Sequence, residues 1–190
     1  MSIWQKLLDR FSLYDLIIIA LMGAMGIATK PIIVPLAHII TGPLFIPSGA
    51  VSGGLYIMWI VLGFGITGKR GTMILICLVQ AILVMATGIV GSHGALSILT
   101  YTMPGILGEL GLLIIRHRVC CLPCAFLAGM LCNIGGTIMV NLVYFRLPVV
   151  PLVLSLSIAA LSGGLGGIIA FKILQQIMYF KNQDLNNVHR

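Results

Sequence analysis

ALMGAMGIATKP, residues 20–31, places alanine at every fourth position, Ala20, Ala24 and Ala28, inside an apolar run that meets a charge and a proline at Lys30-Pro31. Small residues four apart share one side of a helix, and in lipid such a strip lets a second helix approach closely. Apolar residues carry the run back to about residue 14, and the pattern predicts a membrane span over 14–34. Proline removes a backbone donor and constrains the residue before it, so a straight helix is expected to stop near Lys30-Pro31.

The remaining sequence has the same character. Of 190 residues, 59% are hydrophobic and 8% are charged. A soluble domain carries about 25% charged residues, so this chain reads as an integral membrane protein. Five further apolar stretches lie at about 49–67, 72–91, 95–115, 119–143 and 149–178. The expected fold is an all-α, six-transmembrane-helix bundle over 14–178. Residues 1–13 form an expected interfacial lead-in, with Trp4, Leu7, Leu8 and Phe11 at helical spacing, and 179–190 an expected cytoplasmic tail. No small-residue cleavage site closes the first apolar run, so a cleavable signal peptide is not expected.

Basic residues set the orientation. With both termini inside, nine of the eleven Lys and Arg residues are cytoplasmic and only Lys30 and Arg146 lie outside. Cytoplasmic loops are enriched in Lys and Arg, so N-in and C-in is expected. The net charge of +7 then follows from membrane topology and implies no nucleic-acid partner. The segment after the first span holds Pro31, Pro35, Pro43 and Pro47, and reads as a long proline-rich outer loop or broken helix covering the outer mouth.

Polar residues concentrate in the outer halves of the spans, as around an outward-opening cavity. His38, His93, Ser97, Tyr101, Asn133, Asn141 and Tyr144 are the candidate substrate-binding residues. Asn133, Thr137 and Asn141 are spaced as a stripe on one helix, for which hydrogen bonding between helices is the alternative. His38 and His93 have the chemistry to ligate a metal or a metal-bearing ring such as haem or a corrinoid. Glu109 is a carboxylate well inside a span, a functional candidate by default, with a structural role as the alternative. RHRVCCLPC, 116–124, has loosely metal-like spacing, but small apolar residues at a helix start explain it better. No metal site and no cofactor are expected. The chain shows no Gly-rich phosphate loop, no HExxH, no serine elbow and no paired intramembrane carboxylates. It reads as neither an enzyme nor an ATPase, and active uptake would need energy from elsewhere.

With these features the chain resembles the substrate-binding S components of energy-coupling factor transporters, prokaryotic micronutrient uptake systems. The size, the six spans and ALMGAMGIA carry the resemblance. It implies that Ala20, Ala24 and Ala28 form the docking face for a transmembrane coupling subunit driven by two cytosolic ATPase subunits. It also implies a location in the prokaryotic plasma (inner) membrane and a small-molecule pocket under the outer loops. The stretches GPLFIPSGAVSGGLYIMWIVLGFGITGKRG and PGILGELGLLIIR look loosely like the branch for thiamine and its pyrimidine precursor, though Trp59 is the sole tryptophan inside a span. The nickel and cobalt members begin with a Met-His hook that MSIWQ lacks. A vitamin or vitamin precursor is the expected substrate. Uptake of a tetrapyrrole or corrinoid is the alternative, and a self-sufficient small-solute carrier a third reading.

Overall fold

The computed structural model describes residues 11–44, 47–88 and 94–188. Their secondary structure is helical, with no strand among them. Six helices follow in order: α1 (Leu13–Thr41), α2 (Ser48–Thr67), α3 (Thr72–Thr87), α4 (Ser97–Ile114), α5 (Leu122–Val140) and α6 (Val149–Val188). Short 3₁₀ turns at Gly42–Leu44 and Gly94–Leu96 precede α2 and α4, and a π turn at Asn141–Phe145 follows α5.

Five of these helical stretches are long and apolar enough to cross a membrane. The exception is α3, at 16 residues. That length spans about 24 Å, short of a hydrocarbon core of about 30 Å. The lead-in residues 1–10 lie outside the described residues. Residues 179–188 continue α6.

The expected stop at Lys30-Pro31 is corrected. Helix α1 runs on through Pro31 and Pro35 to Thr41. Proline is a strong breaker in water, but membrane helices tolerate it where neighbouring groups satisfy the backbone. Both proline positions are on the exposed side of α1, and the helix continues behind them. The segment joining α1 to α2 thereby shrinks to 42–47, and the long outer loop becomes mostly helix.

Each turn at one end of the bundle is fastened by charge. Ser12 and Asp15 form a capping box at the start of α1, and Lys69 Nζ reaches Asp15 Oδ2 at 2.5 Å. Glu109, on α4, accepts backbone N–H donors from Gly71 at 2.7 and 2.8 Å and from Met73 at 3.0 Å. These are orphan donors at the N-terminus of α3, where a carboxylate also opposes the helix dipole. The intramembrane acid therefore has a structural task. Lys69, Arg70, Arg116 and Arg118 all belong to turns at this basic end.

Helix α2 is central, packing against α1, α3, α5 and α6. Its contact with α6 is tied by Ser162, whose Oγ donates to Val51 O at 2.5 Å and accepts from Gly54 N–H at 3.0 Å. Helices α5 and α6 approach backbone to backbone at Gly129 and Gly163. A Cβ on Gly129 would lie 2.1 Å from the Gly163 carbonyl oxygen. The stripe Ser155, Ala159, Gly163, Gly167 is thus an internal packing face, with all four residues buried.

Candidate functional site

The first helix divides its small residues by face. Gly23 and Gly26 are buried against Val79 and Gln80 of α3. Ala20, Ala24 and Ala28 are all exposed, beside exposed Ile17, Leu21 and Met25. The glycines let α1 pack inward. The alanines leave a shallow apolar strip on the outside of the bundle.

At the end opposite the basic turns, α1 to α5 enclose a cavity of about 270 Å³. The second half of α1 contributes Lys30, Val34 and His38. The start of α2 contributes Ser48, Gly49 and Ala50, with Tyr56 and Ile57 further along. Gln80 comes from α3, Thr100, Tyr101 and Pro104 from α4, and Asn133 and Thr137 from α5.

Lys30 is the central polar group. Only 8% of it is exposed. Its ammonium sits 4.3 Å from the ring centre of Tyr56 and 3.9 Å from that of Tyr101. Two aromatic faces offset part of the cost of burying a cation. Among the described residues the ion pair is Lys69 with Asp15, and no carboxylate pairs with Lys30. Gln80 is 2% exposed, and its Nε2 has no hydrogen-bond partner among the described residues. The cavity therefore presents the Lys30 amine, seated against two tyrosine rings, and an unused amide donor at Gln80.

Of the candidates read from sequence, His38, Tyr101 and Asn133 line this cavity. His38 is exposed at its rim. Asn133 also holds the bundle together, donating from Nδ2 to Ala50 O at 3.1 Å and Ala159 O at 2.9 Å. Ser97, Asn141 and Tyr144 do not line it. Ser97 is buried in α4, and Tyr144 is 43% exposed. Asn141 Oδ1 accepts from Leu147 N–H at 2.9 Å, which closes the turn after α5. His93 lies outside the described residues. The sequence reading missed Lys30, Tyr56 and Gln80 as lining residues. An isolated cation inside an apolar run was the available signal for Lys30.

Among the described residues the lining includes one imidazole, at His38, and no carboxylate, thiol or thioether. Toward the basic end the cavity closes on Ile57 and Ile60, followed by fully buried Val61, Phe64, Met73 and Ile76.

Residues 14–135 match the family described as "ABC-type cobalt transport system, permease component". No curated protein matches the sequence. Among solved structures, the crystal structure of an S-component of an ECF transporter superposes with a TM-score of 0.76 at 18% identity. The match covers 94% of this chain and 95% of that one.

Proposed function

Because the chain belongs to the family of ABC-type cobalt transport system permease components and has the fold of an S-component, we propose that it is the substrate-capturing membrane subunit of an energy-coupling factor transporter. On this reading all six helices cross the membrane, α3 included, with both ends in the cytoplasm. The clustering of Lys69, Arg70, Arg116 and Arg118 at one end supports that orientation. The cavity then opens outward, in a prokaryotic plasma membrane.

The observation that carries the reading is the Lys30 cavity. Ile57 and Ile60 at its inner end, with the buried core residues beyond them, suit capture rather than conduction, so on this reading release inward requires movement of the whole subunit or help from partners. The exposed alanine strip of α1 is the proposed contact with a transmembrane coupling subunit, itself driven by two ATPases. The cavity chemistry favours a small organic micronutrient over a bare divalent cation. Among the described residues the lining offers a metal ion one imidazole, His38, beside the Lys30 amine, which is a poor ligand set. We assign the substrate as a small organic compound with a carboxylate, phosphate or other acceptor group, the acceptor at Lys30 and Gln80 and the remaining atoms against the apolar part of the lining. A volume of about 270 Å³ lies just below the usual range for drug-sized ligands, which suits a vitamin precursor better than a tetrapyrrole.

Purification of the tagged protein from its native membrane tests this. Small molecules released on denaturation are identified by mass spectrometry, and co-purifying proteins by peptide mapping. The expected result is one stoichiometric organic compound together with ATPase subunits. Stoichiometric cobalt without an organic compound would overturn the substrate assignment. Absence of any ATPase from mild-detergent preparations would overturn the partner assignment.

A further inference from the structure

Far from the cavity, the turn between α4 and α5 brings four soft donor atoms together. His117 Nδ1 lies 3.6 Å from Cys120 Sγ and 3.5 Å from Cys124 Sγ. The Cys120 and Cys124 sulfurs are 3.8 Å apart. Cys121 Sγ is 3.8 Å from Cys120 Sγ and 3.1 Å from Cys124 Sγ.

The separations among His117, Cys120 and Cys124 match the edges of a coordination tetrahedron. Metal–sulfur bonds of about 2.3 Å and metal–nitrogen bonds of about 2.0–2.1 Å set S···S edges near 3.8 Å and N···S edges near 3.5–3.6 Å. All three edges of the His117–Cys120–Cys124 triangle agree with those values. Helix periodicity does not enforce this, because His117 and Cys120 lie in the turn before α5 begins at Leu122.

The turn is held from outside the cluster. Arg70 Nη2 donates to the His117 carbonyl at 2.6 Å, and Arg118 donates to the Gly68 carbonyl. His117 N–H donates to Leu112 O at 3.0 Å. Arg116 takes a left-handed conformation, φ 57°, which turns the chain back toward α5. Fixed surroundings of this kind orient ligands before an ion arrives. Arg116 and Arg118 also supply positive charge beside what would be a thiolate cluster. His117 and Cys120 are exposed, which gives access, whereas Cys124 is buried and anchors the site in α5.

We propose that His117 Nδ1, Cys120 Sγ and Cys124 Sγ form a binding site for a thiophilic divalent d-block cation of the Zn²⁺ or Co²⁺ type. Cys121 is in reach as the fourth ligand after rotating away from Cys124, since 3.1 Å is too close for two sulfurs on one ion. Each ligating cysteine gives up its proton to solvent, so one ion displaces two protons, or three with Cys121. The bound ion clamps the α4–α5 turn beside Arg70 and Glu109. This assignment stands independently of what the cavity binds.

The test is a Co²⁺ titration of the full chain in lipid nanodiscs, with a phosphine reductant present. One equivalent should produce the intense visible bands of tetrahedral Co²⁺ and sulfur-to-cobalt charge transfer, and Zn²⁺ should abolish both. Cys120→Ser and His117→Ala alter exposed residues, so folding, checked by helicity and elution volume, should persist. Each should weaken binding by at least tenfold. An octahedral spectrum only, signal unchanged in these variants, or a Cys121–Cys124 disulfide in protein isolated under reductant would each overturn the proposal.

Discussion

Replacing Lys30 with methionine separates binding from folding. The substitution keeps the length and apolar stem of the side chain and removes its charge. An anionic group about 3 Å from the ammonium would interact by about 5 kcal/mol at an effective dielectric of 20. Desolvation of the anion cancels much of that, and hydrogen bonds to charged groups are worth about 1.5–3 kcal/mol net. At 1.4 kcal/mol per tenfold, the affinity should fall about 10- to 150-fold. Stability should behave differently. Methionine forfeits two cation–π contacts but also removes the cost of burying a cation that is 8% exposed. The ligand-free protein should therefore unfold within about 1 kcal/mol of wild type, a small change by mutational standards. The assay is calorimetric titration with the compound that co-purifies with wild-type protein, beside thermal unfolding of the ligand-free subunit. Lys30→Arg, which retains the charge, should bind more tightly than Lys30→Met. Affinity within twofold of wild type for Lys30→Met would refute the argument that the substrate meets this ammonium.

Three other substitutions follow from the packing. Gln80→Leu removes a buried donor without a partner, so it should leave the ligand-free protein as stable or more so, while weakening substrate binding by about 1–3 kcal/mol; thermal unfolding and titration read the two effects. Glu109→Ala strips the cap from α3 and should cost about 2 kcal/mol or more, seen as earlier unfolding in detergent, with substrate affinity in the folded fraction unchanged. Gly129→Val would place a side chain against the Gly163 carbonyl, where a Cβ already comes within 2.1 Å. Backbone cannot yield as a flexible side chain does, so expression of folded protein should drop sharply, measured by elution profile.

The apolar runs made most of the bundle legible, because a chain this poor in charge has few other ways to bury itself. The course of α1 was harder to read. Pro31 and Pro35 are breakers by local rules, yet their helix is supported by contacts with α2 and α3 that no local window contains. The alanine repeat was visible, but its direction became clear only when Gly23 and Gly26 proved to face inward. By local pattern alone Lys30 marks the outer end of a span. Its burial depends on Tyr56 and Tyr101, which arrive from two other helices. Asn133 and Thr137, one turn apart on α5, both line the cavity. Asn141, one turn on, is buried as well, but its Oδ1 accepts from Leu147 N–H in the turn after α5 and it does not line the cavity. Glu109 could be flagged as an intramembrane acid, but its partners are backbone N–H groups, which carry no sequence signature.

The alanine strip tests the account most directly. Ala20→Leu and Ala24→Leu together fill an exposed surface and touch neither the core nor the cavity. Substrate binding by the isolated double variant should match wild type. Uptake by cells carrying the variant with its coupling subunit and ATPases should fall by about tenfold or more, equivalent to about 1.4 kcal/mol of lost docking. Undiminished uptake would contradict the proposal that this face of α1 meets the coupling subunit.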